Sequence, residues 1–315
     1  MRVLEPDGTL REPHSSVVTI GVYDGVHLGH QRTLGRVVDE ARAGGLRSVV
    51  ATFDRHPAEV VRPDMAPLLL CNLEQRLERL AEEGIDEVAV VPFDSNRAQE
   101  SAQEFIEEVL VGHLGAARII VGEDFRFGRD REGDVDLLRR EGERLGFSVE
   151  GVSLGEAGDD PISSTRIRRL LSEGDVASAA VLLGRLHEVA GEVRHGDGRG
   201  GPELGFPTAN VHVPTTMAIP KVGIYAGFYA DPDVGRYPAA ISVGRRPTFY
   251  ESADPLIEAH LIGAELDLYG HEARISFLAH LRDEARFDSV EALIEQMSAD
   301  VERSAQLCAL AEPAT

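Results

Sequence analysis

The chain has 315 residues, a length that at roughly 100–200 residues per domain points to two domains. It carries 54 Asp and Glu against 32 Lys and Arg, and this net charge of −22 excludes nucleic acid and anionic membrane as partners held by bulk attraction. Its 43% hydrophobic content supports ordinary globular cores, and no apolar run reaches the roughly 20 residues that span a bilayer. The opening residues lack the apolar core of a secretory signal, and Cys71 and Cys308 lie far apart without metal spacing. A cytoplasmic protein with reduced thiols is therefore expected. Lys221 is the only lysine.

The first ~185 residues alternate strand and helix patterns. Val17–Ile20 reads as a strand ending at Gly21, followed by a helix through Leu34, Val37, Val38 and Ala41. Then come Ser48–Phe53 (strand), Leu73–Glu83 (helix), Glu87–Phe93 (strand), Ala102–Leu114 (helix) and Ala117–Val121 (strand). Val135–Leu145 (helix) and Phe147–Val152 (strand) follow. Such alternation with short links predicts an α/β domain with a parallel sheet covered on both faces, whose ligands sit at the carboxyl ends of the strands. Two helical patterns, Thr165–Ser172 and Val176–Leu183, close this half.

After Leu186 the texture changes. Gly and Pro become frequent, and short β-patterned runs replace helices: Glu188–Val193, Ala209–Val213, Ile224–Tyr229, Ala239–Val243, Ile257–Ile262 and Arg274–Leu281. They predict a small antiparallel barrel or sandwich. Ser289–Leu310 has helical spacing, with Ser289 as N-cap. The boundary falls near Gly184–His187, giving domains 1–185 and 186–315.

Gly21-Val-Tyr-Asp-Gly-Val-His-Leu-Gly-His30 directly follows the first strand and opens a helix. Gly25 and Gly29 let backbone approach a ligand, and His27 and His30 are spaced to donate to phosphate oxygens. Taken alone, the pair fits a helix cap or an adventitious metal as well as a nucleotide. Ile162-Ser-Ser-Thr-Arg-Ile-Arg168 sets the hydroxyls of Ser163, Ser164 and Thr165 before a helix bearing Arg168, which suits an anion. Thr52-Phe-Asp-Arg-His-Pro57 runs from a strand end into a Pro-stopped turn, and Val121-Gly-Glu-Asp-Phe-Arg-Phe-Gly128 offers aromatics to a flat ring. In the second half, His195 to Asn210 is a Gly-rich loop entering a strand. Thr208 and Asn210 there alternate onto one face, and their oxygens suit Mg²⁺, although a Thr/Asn ladder on a surface hairpin has the same pattern.

The combination is more specific than its parts. The H-x-G-H turn, Thr52-Phe-x-x-His-Pro57, Gly122-x-Asp-Phe-x-Phe-Gly128 and Ile162-Ser-Ser-Thr-x-Ile-Arg168 resemble, in this order, the FMN adenylyltransferase half of the prokaryotic bifunctional riboflavin kinase/FAD synthetase family. Leu204-Gly-Phe-Pro-Thr-Ala-Asn210, Gly223-Ile-Tyr-Ala226, Ser242-Val-Gly-x-x-Pro-Thr-Phe249, Glu258-Ala-His-Leu261, Asp267-Leu-Tyr-Gly270 and Leu281-Arg-x-Glu-x-x-Phe287 resemble its kinase module. The resemblance implies a Rossmann-like nucleotidyltransferase domain, then a six-stranded barrel with a terminal helix. It also implies riboflavin, FMN and ATP as substrates, FMN and FAD as products, and Mg²⁺ as cofactor. Glu258 is then the kinase base, Thr208 and Asn210 are metal ligands, and Gly205 and Thr208 meet nucleotide phosphates. His27 and His30 serve the adenylyl transfer with Gly25, Gly29, Ser163, Ser164, Thr165 and Arg168, while Asp124 and Phe125 contact flavin. A monomer or weak homo-oligomer is expected, with no nucleic acid or membrane partner.

Four departures from the family pattern stand out. Gly201-Pro202-Glu203 lengthens the loop before Leu204, Arg199 is displaced, Arg245 and Arg246 replace smaller or neutral residues, and Tyr23 replaces a common Phe. The longer loop raises the alternative of an FMN adenylyltransferase with an impaired kinase domain. A non-catalytic flavin-binding regulator is a third reading, though it would have been expected to lose Glu258 or a histidine.

Overall fold

The computed structural model describes residues 1–4, 12–153, 156–157, 160–195, 205–245 and 255–311. By contacts the chain divides into two compact units, Met1–Ser164 and Thr165–Thr315.

The first unit is a parallel six-stranded sheet. In chain order it holds β1 (Arg2–Leu4), β2 (Ser16–Ile20), α1 (Leu28–Gly44), β3 (Arg47–Phe53), α2 (Pro57–Val61), α3 (Leu73–Glu82) and β4 (Glu87–Val91). α4 (Ala102–Phe105), β5 (Ala116–Gly122), α5 (Val135–Leu145) and β6 (Ser148–Val152) follow, then a two-stranded ribbon of β7 (Glu156–Ala157) and β8 (Asp160–Pro161). The sheet order is β1-β4-β3-β2-β5-β6. Both faces are covered, so the strands read as continuous apolar runs rather than alternating ones. Val17, Val50, Val88 and Ile120 pack under Leu34 and Val37 of α1 and Leu80 of α3. Val18, Val49, Ala51 and Ile119 face the other way, toward Phe105, Leu110 and Leu138. The order reverses between β2 and β5, which opens the crevice where such sheets take ligands.

Three features of this unit differ from the sequence expectation. β1, three residues long, pairs in parallel with the edge strand β4. The helix predicted over Ala102–Leu114 is α-helical only to Phe105. It then widens to a π-helix over Ile106–His113, with Leu114 N donating to Val109 O at 2.9 Å. This wider turn keeps Leu114 buried along with Ile106 and Leu110. Finally, Pro57 does not stop a turn but opens α2, where proline's missing N–H costs nothing.

The second unit begins with α6 (Ser164–Glu173) and α7 (Val176–Leu183). The spacing assigned these helices to the first half, but α7 packs on β9 (His187–Arg194) and β14 (Glu272–Arg282). Lys221 N also donates to Leu171 O at 2.9 Å. The contact division therefore lies some twenty residues before the expected 185/186 junction. Between β9 and β14 run β10 (Ala209–His212), β11 (Gly223–Asp231), β12 (Gly235–Arg245) and β13 (Pro255–Leu261). They close into an antiparallel barrel of order β10-β13-β12-β11-β14-β9. Alternation is clean here: Val189, Val193, Val211, Ile241, Ile257 and Ala259 fill the interior, while their neighbours face outward. α8 (Val290–Ala311) lies across β11, β12 and β14. Cys308 Sγ donates to Gly227 O at 3.1 Å, so this thiol is a buried packing group.

His187 is 1% exposed at the foot of the barrel, with Nε2 2.8 Å from Ala218 O and its ring stacked on Phe277. Burial pushes its pKa down from 6.5 to about 4. The native state thus holds a neutral imidazole that the unfolded chain protonates below its ordinary pKa. Stability conferred by this site is complete above pH 6.5 and is lost as pH falls toward 4. Between pH 7 and pH 5 the second unit is expected to lose about 2 kcal/mol from this group alone. Denaturant unfolding of wild type and His187→Gln at the two pH values checks this: the variant is expected to be less stable at pH 7 but to lose much less on acidification.

Candidate active sites

The first site is the turn between β2 and α1. Tyr23 (φ 52°), Gly25 (φ 80°) and Val26 (φ 37°) all have left-handed backbone. Glycine adopts that region freely, but tyrosine and valine are strained there by about 1–3 kcal/mol each. Contacts from three other segments hold the strained turn. The buried Asp24 carboxylate accepts from Leu70 N (2.8 Å) and Cys71 N (3.2 Å), and Gly25 N donates to Cys71 Sγ (3.1 Å). Thr52 Oγ1, at the end of β3, donates to Val22 O (3.2 Å). Ser164 Oγ donates to Asp24 O (3.0 Å), so the serine-rich segment and the H-x-G-H turn meet although 140 residues separate them. Tyr23, the family departure, adds its own tie: its hydroxyl lies 2.6 Å from Thr19 Oγ1, and burial raises its pKa above the ordinary tyrosine value.

This turn delivers the histidines. His27 is the N-cap of α1, and its Nδ1 accepts from His30 N at 3.3 Å. A ring nitrogen that accepts carries the lone pair, so the neutral ring bears its proton on Nε2 and presents a donor there. His30 stacks on His27 with centroids 3.6 Å apart, and Tyr23 meets His30 edge-on at 5.0 Å. Gly29 is buried in the first turn of α1, with Gly25 just before the cap. Ser163 and Ser164 are half-buried. Thr165 and Arg168 continue on α6, Thr165 exposed and Arg168 half-buried.

Beyond β5, the strand beside β2, Asp124 is exposed and Phe125 half-buried, stacked on Phe127 at 5.3 Å. The loop closes at Gly128 (φ 74°), where a Cβ would lie 2.7 Å from Ala102 N. His56 of the Thr52–Pro57 segment is an N-cap: its Nδ1 accepts from Ala58 N, and Glu59 completes the capping box.

One residue at this site escaped the sequence reading. Arg76 of α3 is 1% exposed, and its Nη1 donates to Thr52 Oγ1 (3.0 Å) and Phe53 O (2.7 Å). Its signal was a basic residue on the apolar stripe Leu73, Leu77 and Leu80 of an amphipathic helix.

The second site lies on the outer face of the barrel. Glu258 on β13 is opposite Asn210 on β10 and opposite Ser242 on β12. Cross-strand register thus puts the three side chains in one row on the same face. A cavity of about 460 Å³ is bounded by Thr208, Ser242, Glu258 and His260 on the barrel side, by the 282–287 segment, and by Leu293, Met297, Asp300 and Val301 of α8. Asn210 stands next to Glu258 in the row, and Gly205 (φ 81°) forms the exposed turn just before Phe206. His260 Nδ1 lies 2.8 Å from Pro207 O, which fastens the Phe206–Thr208 segment to β13. Arg282 and Asp300 form a bidentate pair, the shortest contact 2.6 Å, joining α8 to β14 at the cavity wall. Ser242 and Arg282 belong to motifs quoted from the sequence, but strand register and helix docking are what bring Ser242 beside Glu258 and Asp300 onto Arg282. Arg199, Gly201–Glu203 and Arg246 lie outside the described residues, and of Arg245 only the backbone is described.

Among the described residues, Asp231, Asp233 and His271 form the one cluster of His, Cys or acidic side chains close enough to share a cation. Within it Asp231 accepts from Asp233 N, Tyr229 OH and His271 Nδ1, which locks the β11–β12 turn. It does not coincide with Thr208 and Asn210.

A strained His-bearing turn at the crevice of a parallel sheet, in one chain with a barrel that sets a carboxylate beside an open cavity, defines a two-unit nucleotide-dependent transferase. Residues 9–166 match the FAD synthetase family model and residues 183–308 the riboflavin kinase model. The bifunctional riboflavin kinase/FMN adenylyltransferase of Escherichia coli K12 is 37% identical, covering 95% of this chain and 94% of its own. The protein of the same name from Bacillus subtilis is 33% identical, covering 95% of each. The chain therefore belongs to the bifunctional riboflavin kinase/FMN adenylyltransferase family. A solved chain described as a macrolide-efflux protein from Streptococcus pneumoniae superposes with a TM-score of 0.85 at 31% identity, covering 96% of this chain and 97% of its own. No described helix is long and apolar enough to cross a membrane.

The Asp24 carboxylate is the main tie of the first site. Asp24→Ala leaves two buried N–H groups without acceptors and is expected to destabilise the first unit by about 2–4 kcal/mol. Denaturant unfolding checks this. Asp24→Asn, which keeps an acceptor oxygen, is expected to lose less than half as much.

Proposed function

We propose that the second unit phosphorylates riboflavin to FMN and that the first adenylylates FMN to FAD, so that one chain performs two consecutive ATP-dependent steps. The observation that carries this reading is the register setting Glu258 between Asn210 and Ser242 beside a cavity of about 460 Å³. An impaired kinase, the alternative raised by the longer Gly201–Glu203 loop, or a non-catalytic flavin binder would not need a carboxylate in that row. The chain is read as a cytoplasmic enzyme, a monomer or weak homo-oligomer.

In the kinase step the riboflavin 5′-hydroxyl attacks the γ-phosphorus of ATP and ADP leaves. An alcohol is a weak nucleophile, so Glu258 takes its proton as the new O–P bond forms. Thr208 and Asn210 offer the hard oxygens that would hold Mg²⁺, which would supply charge neutralisation at the phosphates. Gly205 lets backbone N–H groups approach the phosphates.

In the adenylylation step an FMN phosphate oxygen, already ionised, attacks the α-phosphorus of ATP. The bond to the β-phosphate oxygen breaks, and pyrophosphate leaves with the electron pair. No base is needed, so the work is alignment and charge stabilisation. His27 contributes its Nε2–H, with His30 stacked on it, beside the backbone of Gly25 and Gly29, where no side chain stands in the way. The Ser164 hydroxyl proton is engaged by Asp24 O, so Ser164 contributes through its backbone N–H and by holding the turn. The family resemblance adds Ser163, Thr165 and Arg168 for phosphate, and Asp124 and Phe125 for flavin.

Two variants separate the steps. Glu258→Ala is expected to cut riboflavin phosphorylation by about 10²–10⁴-fold while FMN adenylylation persists. Replacing both His27 and His30 with Ala is expected to abolish FAD formation and spare FMN formation. Chromatography of flavin products reads both: near-normal kinase turnover in the first variant, or unchanged FAD yield in the second, would remove the assigned role. Chelation of divalent cations is expected to stop both reactions, and added Mg²⁺ to restore them.

A further inference from the structure

Arg76 stands where α3 calls for an apolar residue. Leu77 and Leu80 of the same stripe pack into the core, and Arg76 is buried with them at 1% exposure. Its guanidinium binds two neutral oxygens, Thr52 Oγ1 and Phe53 O, at the carboxyl end of β3. Its Nε is buried without a hydrogen-bond partner, and no carboxylate among the described residues pairs with it. The buried Asp24 carboxylate in the neighbouring turn is bonded instead to Leu70 N and Cys71 N.

This is an unfavourable place for a cation. A charge taken out of water without a counter-charge is strongly destabilising, and the N-terminal end of a helix carries positive potential of its own. A hydrophobic residue of similar volume would fill the position at lower cost. What the site gains is a fixed positive charge directly behind the turn that carries His27, because Thr52, bonded by Arg76, donates onward to Val22 O.

We infer that Arg76 is a positioning residue for adenylylation. Its charge, anchored by Thr52 and Phe53, draws the phosphates of the nucleotide, and then the departing pyrophosphate, to the H-x-G-H turn. The substrate anions supply the counter-charge that the free protein lacks. The inference rests on the reading of the first unit as the adenylylating one. It also accounts for how a chain with a net charge of −22 and a single lysine attracts polyanions to that unit.

The test uses the full chain with Arg76→Met, which keeps bulk and loses charge, and Arg76→Lys, which keeps charge and loses the forked bonds. Calorimetry reads the affinity for inorganic pyrophosphate, and kinetics separates KM for ATP from kcat in FAD formation. Riboflavin phosphorylation by the second unit serves as internal control. Arg76→Met is expected to weaken pyrophosphate binding about 10- to 100-fold and to raise KM for ATP similarly, the size expected of one nearby unit charge. Arg76→Lys is expected to stay within about threefold of wild type in both. Wild-type pyrophosphate affinity in folded Arg76→Met overturns the inference. So does a loss in Arg76→Lys as large as that in Arg76→Met, because Arg76 would then be only a structural tie. If Arg76→Met does not fold, Arg76→Lys decides alone: retained affinity supports the charge role, and a tenfold loss overturns it. Absence of FAD from wild type would contradict the adenylylation reading instead, and pyrophosphate affinity is measured independently of it.

Discussion

The turn that carries His27 and His30 depends on one buried carboxylate. Asp24 accepts from Leu70 N and Cys71 N, and through those bonds a turn with three left-handed residues keeps its shape. Tyr23 and Val26 are strained there, and strain of this kind persists only where surroundings over-determine the backbone. The surroundings are specific: β3 contributes Thr52, α3 is preceded by Leu70 and Cys71, and Ser164 closes from 140 residues away. Because the turn is fixed, His27 caps α1 with a defined tautomer, and His30 stacks against it. The second unit uses a different device. Its candidate row is set by strand register, with Asn210, Glu258 and Ser242 side by side, and rigidity comes from a closed barrel rather than from a strained turn.

The charge of the chain gives this arrangement its meaning. At −22 the protein repels the phosphates it handles, so positive potential has to be local. In the first unit the proposed sources are backbone N–H groups at helix starts, the His27 Nε2–H and the buried Arg76. In the second, the Thr208 and Asn210 oxygens suit a divalent cation. No lysine-bearing phosphate loop exists, since Lys221 pairs with Asp283 at 2.8 Å.

Much of this was legible in the sequence. Apolar runs gave the parallel strands, period-two alternation gave the barrel, and ordered motifs gave the family, with His27, His30, Thr208, Asn210 and Glu258 as its candidate residues. What was not legible arises from contacts between distant segments. A three-residue β1 carries too little pattern to stand out and exists because β4 pairs with it. The π-helical turn after Phe105 changes no residue type and only lets Leu114 face the core. α6 and α7 have ordinary helical spacing, which cannot tell which unit they pack on. Arg76 is the instructive miss: a single charge on an apolar stripe reads as a surface residue until the helix is seen to turn it inward.

The central claim is that one chain converts riboflavin to FAD through FMN. Incubating the purified protein with riboflavin, ATP and Mg²⁺, and separating flavins over time, tests it most directly. The account predicts that FMN appears first and is then converted to FAD, with ADP and pyrophosphate formed in step. Conversion of added FMN to FAD without phosphorylation of riboflavin would contradict it, as would flavin binding without turnover.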